Sequence, residues 1–161
     1  MSSDFPRRVY TQEEVGRAKK LVDEGYKHNI AVKGSLNFKR KVGQALKYIE
    51  TAGQHDFLRM YIRDIVEIDG LTQLREADAA IWANKYAVEN SVDAASIFVQ
   101  KANRMKEYLD GKLYYGGEAE KRSVNKRIEF LELLKSRTRE ETVKEMCEKL
   151  LKMWSESSLA Y

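Results

Sequence analysis

Between Phe57 and Ile68 eight of twelve residues are apolar (Phe57, Leu58, Met60, Tyr61, Ile62, Ile65, Val66 and Ile68), and no other stretch limits the fold as much. Read at helical period, these positions cover an arc too wide for a surface helix, so such a helix belongs at the centre of the molecule. Arg59, Arg63 and Glu67 fall four apart, which puts them in one stripe where Arg63 and Glu67 can pair. Gly70 then reads as a left-handed stop and Thr72 as the cap of a second helix, with Leu74, Ala77, Ile81 and Val88 inward. The spacing therefore predicts a helical hairpin from Asp56 to Asn90 as the core. Trp82 and Tyr86 lie four apart beside that row and widen its buried arc. The alternative is an exposed aromatic pair that meets a partner.

The flanking segments also read as helices. Thr11 and Glu14 have capping-box spacing, followed by Val15, Ala18, Val22 and Tyr26 on one side. Residues 28–34 read as a connection, and a second helix runs from Ser35 to Ala52 with Phe38, Val42, Ala45, Leu46 and Ile49 inward and Gly53 as its stop. Beyond the hairpin, a helix from Ser91 to Gly111 turns Ala95, Phe98, Val99, Ala102, Met105 and Leu109 inward, with Asp93 favouring its N-terminus. One from Ser123 buries Val124, Ile128, Leu131 and Leu134, and one opened by Thr138 and Glu141 aligns Val143, Cys147, Leu150 and Trp154. No segment alternates with period two over a strand's length. The expected fold class is all-α: about seven antiparallel helices in a single bundle or a stack of helical hairpins. It forms one domain over residues 1–161, with flexible ends at 1–10 and 155–161. The tetratricopeptide signature does not recur at a period of about 34 residues.

With 161 residues the chain is long enough to bury roughly two thirds of its unfolded surface. Apolar residues make up 43% and there is one proline, which excludes pervasive disorder. The single Cys147 excludes an intrachain disulfide and fits a reducing compartment. Met1 to Tyr10 lacks the apolar core of a signal peptide, and no run of about 18 apolar residues occurs. A cytoplasmic protein without membrane contact is expected.

Net charge is +4, unevenly placed. From Gly25 to Ile49 there are six basic residues and no acidic one; Glu50 to Asp93 is net −5 and Ala94 to Arg139 net +5. Such a basic, acidic, basic pattern suits a surface that follows phosphates, with aromatic rings to stack on unpaired bases. The candidate residues are Lys33, Lys39, Arg40, Lys41 and Lys47 in the first basic region, and Lys101, Arg104, Lys112, Tyr114, Tyr115, Lys121 and Arg122 in the second. Lys101, Arg104, Tyr108 and Lys112 share one side of their helix, whereas Lys39, Arg40 and Lys41 fan around theirs. The plain alternative is a solvated surface in which basic helices pack beside an acidic hairpin.

Signals for catalysis are sparse. His28, the His55-Asp56 dipeptide and the aspartates downstream follow an order that resembles the HD-domain phosphohydrolases. That resemblance implies a divalent metal held by His28, His55 and Asp56 that activates water on a phosphate ester. Asp56 also has a simpler role at a helix start. Asp64, Glu67, Glu76 and Asp78 can bind Mg²⁺ only if they meet across the hairpin, and the paired acidic motifs of helical nucleotide pyrophosphatases are incomplete. Residues 111–120 hold three glycines but lack the Lys-Ser or Lys-Thr of a phosphate loop. The sequence thus points to a non-catalytic binding protein without cofactor or metal, either a subunit of a larger assembly or a factor bound to RNA or single-stranded DNA. The alternatives are the HD-like enzyme and a self-assembling helical bundle, with a protein partner or a second copy as its ligand.

Overall fold

The computed structural model describes residues 16, 17, 19, 20, 29–111 and 116–159. Along them run β1 (Ala31–Lys33), α1 (Leu36–Thr51), α2 (His55–Tyr61), β2 (Asp64–Ile68), β3 (Gln73–Arg75), a 3-10 turn (Glu76–Asp78), β4 (Ala80–Asn84), α3 (Ser91–Leu109), α4 (Gly117–Arg137) and α5 (Glu141–Leu159). The strands form one mixed sheet in the order β1-β2-β4-β3. β1, β2 and β4 are parallel and β3 is antiparallel to β4. The all-α bundle of seven helices is thereby corrected: these residues make five helices and a four-stranded sheet.

The correction falls on the expected core hairpin. α2 ends at Tyr61, and Ile62 is already extended at φ −122, ψ 126. Ile62, Ile65, Val66 and Ile68 are β-branched, and their restricted χ1 angles fit a pleated strand better than a helix. β2 is an interior strand between β1 and β4, and with Asp64 and Glu67 three apart among its five residues it shows no period-two alternation. The second half of the supposed hairpin becomes β3, the 3-10 turn and β4. Gly70 is not left-handed, and Thr72 caps no helix: its Oγ1 accepts from Asn84 N at 3.0 Å. The Asn84 amide also donates to the carbonyls of Asp69 (2.9 Å) and Gly70 (2.8 Å), which holds the connection that carries β3 to the far side of β4. Trp82 lies in β4 under the Arg75 guanidinium, 4.2 Å from its ring centre, while Tyr86 is 69% exposed beyond the strand. They form neither an aromatic pair nor one buried arc.

The helices predicted from Ser35 and from Ser91 stand where local signals put them, while the one predicted from Thr11, with Val15, Ala18, Val22 and Tyr26, lies largely outside the described residues. Ser35 caps α1, its Oγ accepting from Phe38 N at 3.1 Å. Phe38, Val42, Ala45 and Ile49 are buried, and Gly53 at φ +72 ends the helix. The Arg137 guanidinium donates to the Ala52 carbonyl at 2.9 Å, so the tip of α4 satisfies an acceptor that the end of α1 leaves open. Asn90 caps α3, and its Oδ1 accepts from Val92 N and Asp93 N. α3 packs against α1, α2, α4 and α5, and it contributes Phe98, Val99, Ala102 and Met105 to the core. α4 starts at Gly117 rather than Ser123. Thr138 Oγ1 accepts from Glu140 N at 3.2 Å rather than from Glu141, so the predicted capping box is not made. Val143, Cys147 and Leu150 of α5 are buried. Burial pushes the Cys147 thiol up to about 11, which leaves it protonated and unreactive at neutral pH. Among the described residues no helix is long and apolar enough to cross a membrane.

Candidate nucleic-acid interface

α1 buries one side and presents the other to solvent. Opposite Phe38, Val42, Ala45 and Ile49 stand Leu36, Lys39, Arg40, Gly43, Lys47 and Glu50, all exposed. At 3.6 residues per turn, Lys39, Gly43, Lys47 and Arg40 fall within about 100° of arc, so the cations surround the glycine. No carboxylate pairs with Lys39, Arg40 or Lys47 among the described residues, and the Arg40 guanidinium donates only to Asn37 Oδ1 at 2.7 Å. Lys39, Arg40 and Lys41 lie in successive steps of about 100° around the α1 axis. Lys41 turns off this face to an ion pair with Glu89, and Lys47 takes its place beside the other two.

A Cβ on Gly43 would meet nothing within 4 Å, so no intramolecular packing requires the glycine. Gly43→Ala is expected to stabilise the free protein by about 1 kcal/mol, seen as a rise of roughly 2–4 °C in the thermal midpoint. A fall in the midpoint would show that the glycine is needed by the fold itself.

The remaining basic candidates are mostly engaged. Lys33 lies 3.8 Å from Asp64, Arg104 is 4.0 Å from Glu120 and Arg122 is 2.5 Å from Glu107. Lys101 is half-buried, and desolvation, reinforced by the nearby Arg104 and Arg127, holds its pKa below the ordinary lysine value. Lys121 is exposed, while Lys112, Tyr114 and Tyr115 lie outside the described residues. Tyr108, expected on the same side as Lys101, is buried in the core. The α3 stripe is therefore not an open cationic row.

The N-terminus of α1 is also closed to phosphate. Glu67 Oε1 accepts from Ser35 N at 2.8 Å, and Oε2 lies 3.5 Å from Ser35 Oγ. The chain's own carboxylate thus occupies the place where an anion would dock. This bond replaces the Arg63–Glu67 helical pair expected from spacing.

The metal readings gain no geometry. His28 lies outside the described residues, His55 is half-buried at the start of α2, and exposed Asp56 is 3.9 Å from Arg59. Asp64 and Glu67 leave opposite faces of β2 for separate partners, and Asp78 meets Arg17 at 3.1 Å. Among the described residues no three His, Cys, Asp or Glu side chains are placed to hold a metal ion.

Beside the α1 face opens a groove of about 370 Å³ between the C-terminal half of α1, the start of α3 and the first turns of α5. Tyr48, Glu89, Asn90, Val92, Thr142 and Met146 are among its lining residues. Sequence reasoning missed it. Asn90 was legible only as the residue before a helix start, and the approach of α5 to α1 has no local signature. Comparison with protein-family models, curated proteins and solved structures found no match to this chain, so the functional reading rests on its own side chains.

Proposed function

We propose that the protein is a non-catalytic binding factor that contacts the phosphate backbone of a nucleic acid through the outer face of α1. The observation that carries this reading is the grouping of Lys39, Arg40 and Lys47 around Gly43. These three cations share one exposed face without a carboxylate partner among the described residues, while four of the other basic candidates are held in ion pairs. Glu50 lies on the same face and leaves it net positive by two charges. A patch of this size suits a modest, salt-sensitive affinity. The single cysteine fits a reducing, cytoplasmic setting for such a factor.

The test is fluorescence anisotropy with a labelled, unstructured oligoribonucleotide at low salt. The wild type binds. The Lys39→Gln/Arg40→Gln/Lys47→Gln variant loses about tenfold or more in affinity, with its circular dichroism and thermal midpoint preserved because all three side chains are exposed. Equal affinity of the two proteins, or no binding by the wild type, overturns the proposal.

A further inference from the structure

The geometry points to a second role for the groove between α1, α3 and α5: it receives an unpaired base, which makes the ligand single-stranded RNA or DNA rather than a duplex. This rests on the reading of α1 as the phosphate-binding face. Around the α1 axis, Arg40 and Lys47 are followed by Asn37 and Gln44 after about 60°, and then by Tyr48 and Lys41 after about 40°. The basic row and the Tyr48 wall of the groove thus lie on one helix about 80–100° apart, with Asn37 and Gln44 between them. A strand whose phosphates lie on Arg40 and Lys47 brings its bases over that wall.

The groove has the size and chemistry for a base. Its volume of about 370 Å³ lies at the small end of ligand sites. Tyr48 and Met146, both half-buried, supply a ring face and a polarizable thioether on which a base stacks, whatever its identity. Two polar groups stand ready for its edge. Asn90 Oδ1 is committed to Val92 N and Asp93 N, which leaves the amide NH₂. That NH₂ lies 3.3 Å from Met146 Sδ, a weak acceptor that a base carbonyl or ring nitrogen readily replaces. Glu89, at the rim, is an acceptor for an exocyclic amine. Its pairing with Lys41 keeps its charge from repelling the phosphates alongside. Bases paired and stacked within a duplex cannot enter such a recess.

The experiment measures affinity for one labelled strand, alone and annealed to its complement, with the wild type, Tyr48→Ala, Tyr48→Phe and Thr142→Trp. Thr142 is exposed on the first turn of α5, so a tryptophan there fills the groove without entering the core. The wild type prefers the single strand. Tyr48→Ala and Thr142→Trp each weaken single-strand binding by about tenfold and leave duplex binding unchanged, and Tyr48→Phe behaves as wild type. Should Tyr48→Ala fail to fold, Thr142→Trp decides. Wild-type affinity in Thr142→Trp, or equal wild-type affinity for strand and duplex, overturns the inference. If the triple α1 variant still loses binding in that case, the phosphate reading survives it. A wild type that binds neither nucleic acid removes both.

Discussion

Phe98→Ala is expected to lower the free energy of unfolding by about 3–5 kcal/mol. Phe98 is 1% exposed at the middle of α3, the helix that packs against α1, α2, α4 and α5. The cost has two parts, the lost burial of the ring and the cavity left among neighbours anchored on separate elements that cannot all close in. Domains of this kind are stable by only about 5–15 kcal/mol, so the variant is left near the edge of folding. Urea unfolding of wild type and variant measures the difference as a drop in midpoint at unchanged slope. A loss below about 1 kcal/mol would mean that the space around Phe98 collapses freely, and α3 would not be the central helix.

Gly34→Ala carries the second large penalty, about 1–3 kcal/mol by overpacking. An added Cβ would stand 2.7 Å from Glu67 Cβ, 2.8 Å from Glu67 Oε1 and 2.9 Å from Phe38 Cδ2. Neither neighbour yields easily: Phe38 is 1% exposed, and the Glu67 carboxylate is held by Ser35 N at 2.8 Å. Relief of the clash must open the β1–α1 turn or release that carboxylate from the helix start, and either change displaces the first turn of the basic helix. Gly34→Ala and Gly43→Ala therefore have opposite signs although nine residues apart. Thermal unfolding of the two variants side by side checks this. A Gly34→Ala protein as stable as wild type would contradict the packing at the junction of β1 and α1.

What the sequence made legible was local. Ser35 with Phe38, Gly53, Gly111 and the inward row from Ala95 to Met105 marked helices whose stability depends on their own caps and apolar faces. The sheet depends on distant pairing. Ile65 faces Val32 on one side and Ile81 on the other, and neither partner is near it in the chain. A short segment such as Ile62–Ile68, with four apolar residues among three charged ones, has no clean period of its own; its β-branched residues were the available signal for a strand. β1 spans only three residues, too few for alternation to show. The same limit applied to the candidate site. Helical period alone set Lys41 apart from Lys39 and Arg40, but its partner Glu89, 48 positions away, was not legible. The recess beside them depends on helices that converge only when the chain is folded.

The most direct test of the α1 face as a phosphate-binding surface is the salt dependence of single-strand binding, measured for the wild type and for the Lys39→Gln/Arg40→Gln/Lys47→Gln variant. Each phosphate contact on a single strand contributes about −0.7 to the slope of log K against log salt. Loss of all three cations should therefore make the slope shallower by about two. Parallel lines for the two proteins would show that Lys39, Arg40 and Lys47 touch no phosphate, and the proposed function would fall with them.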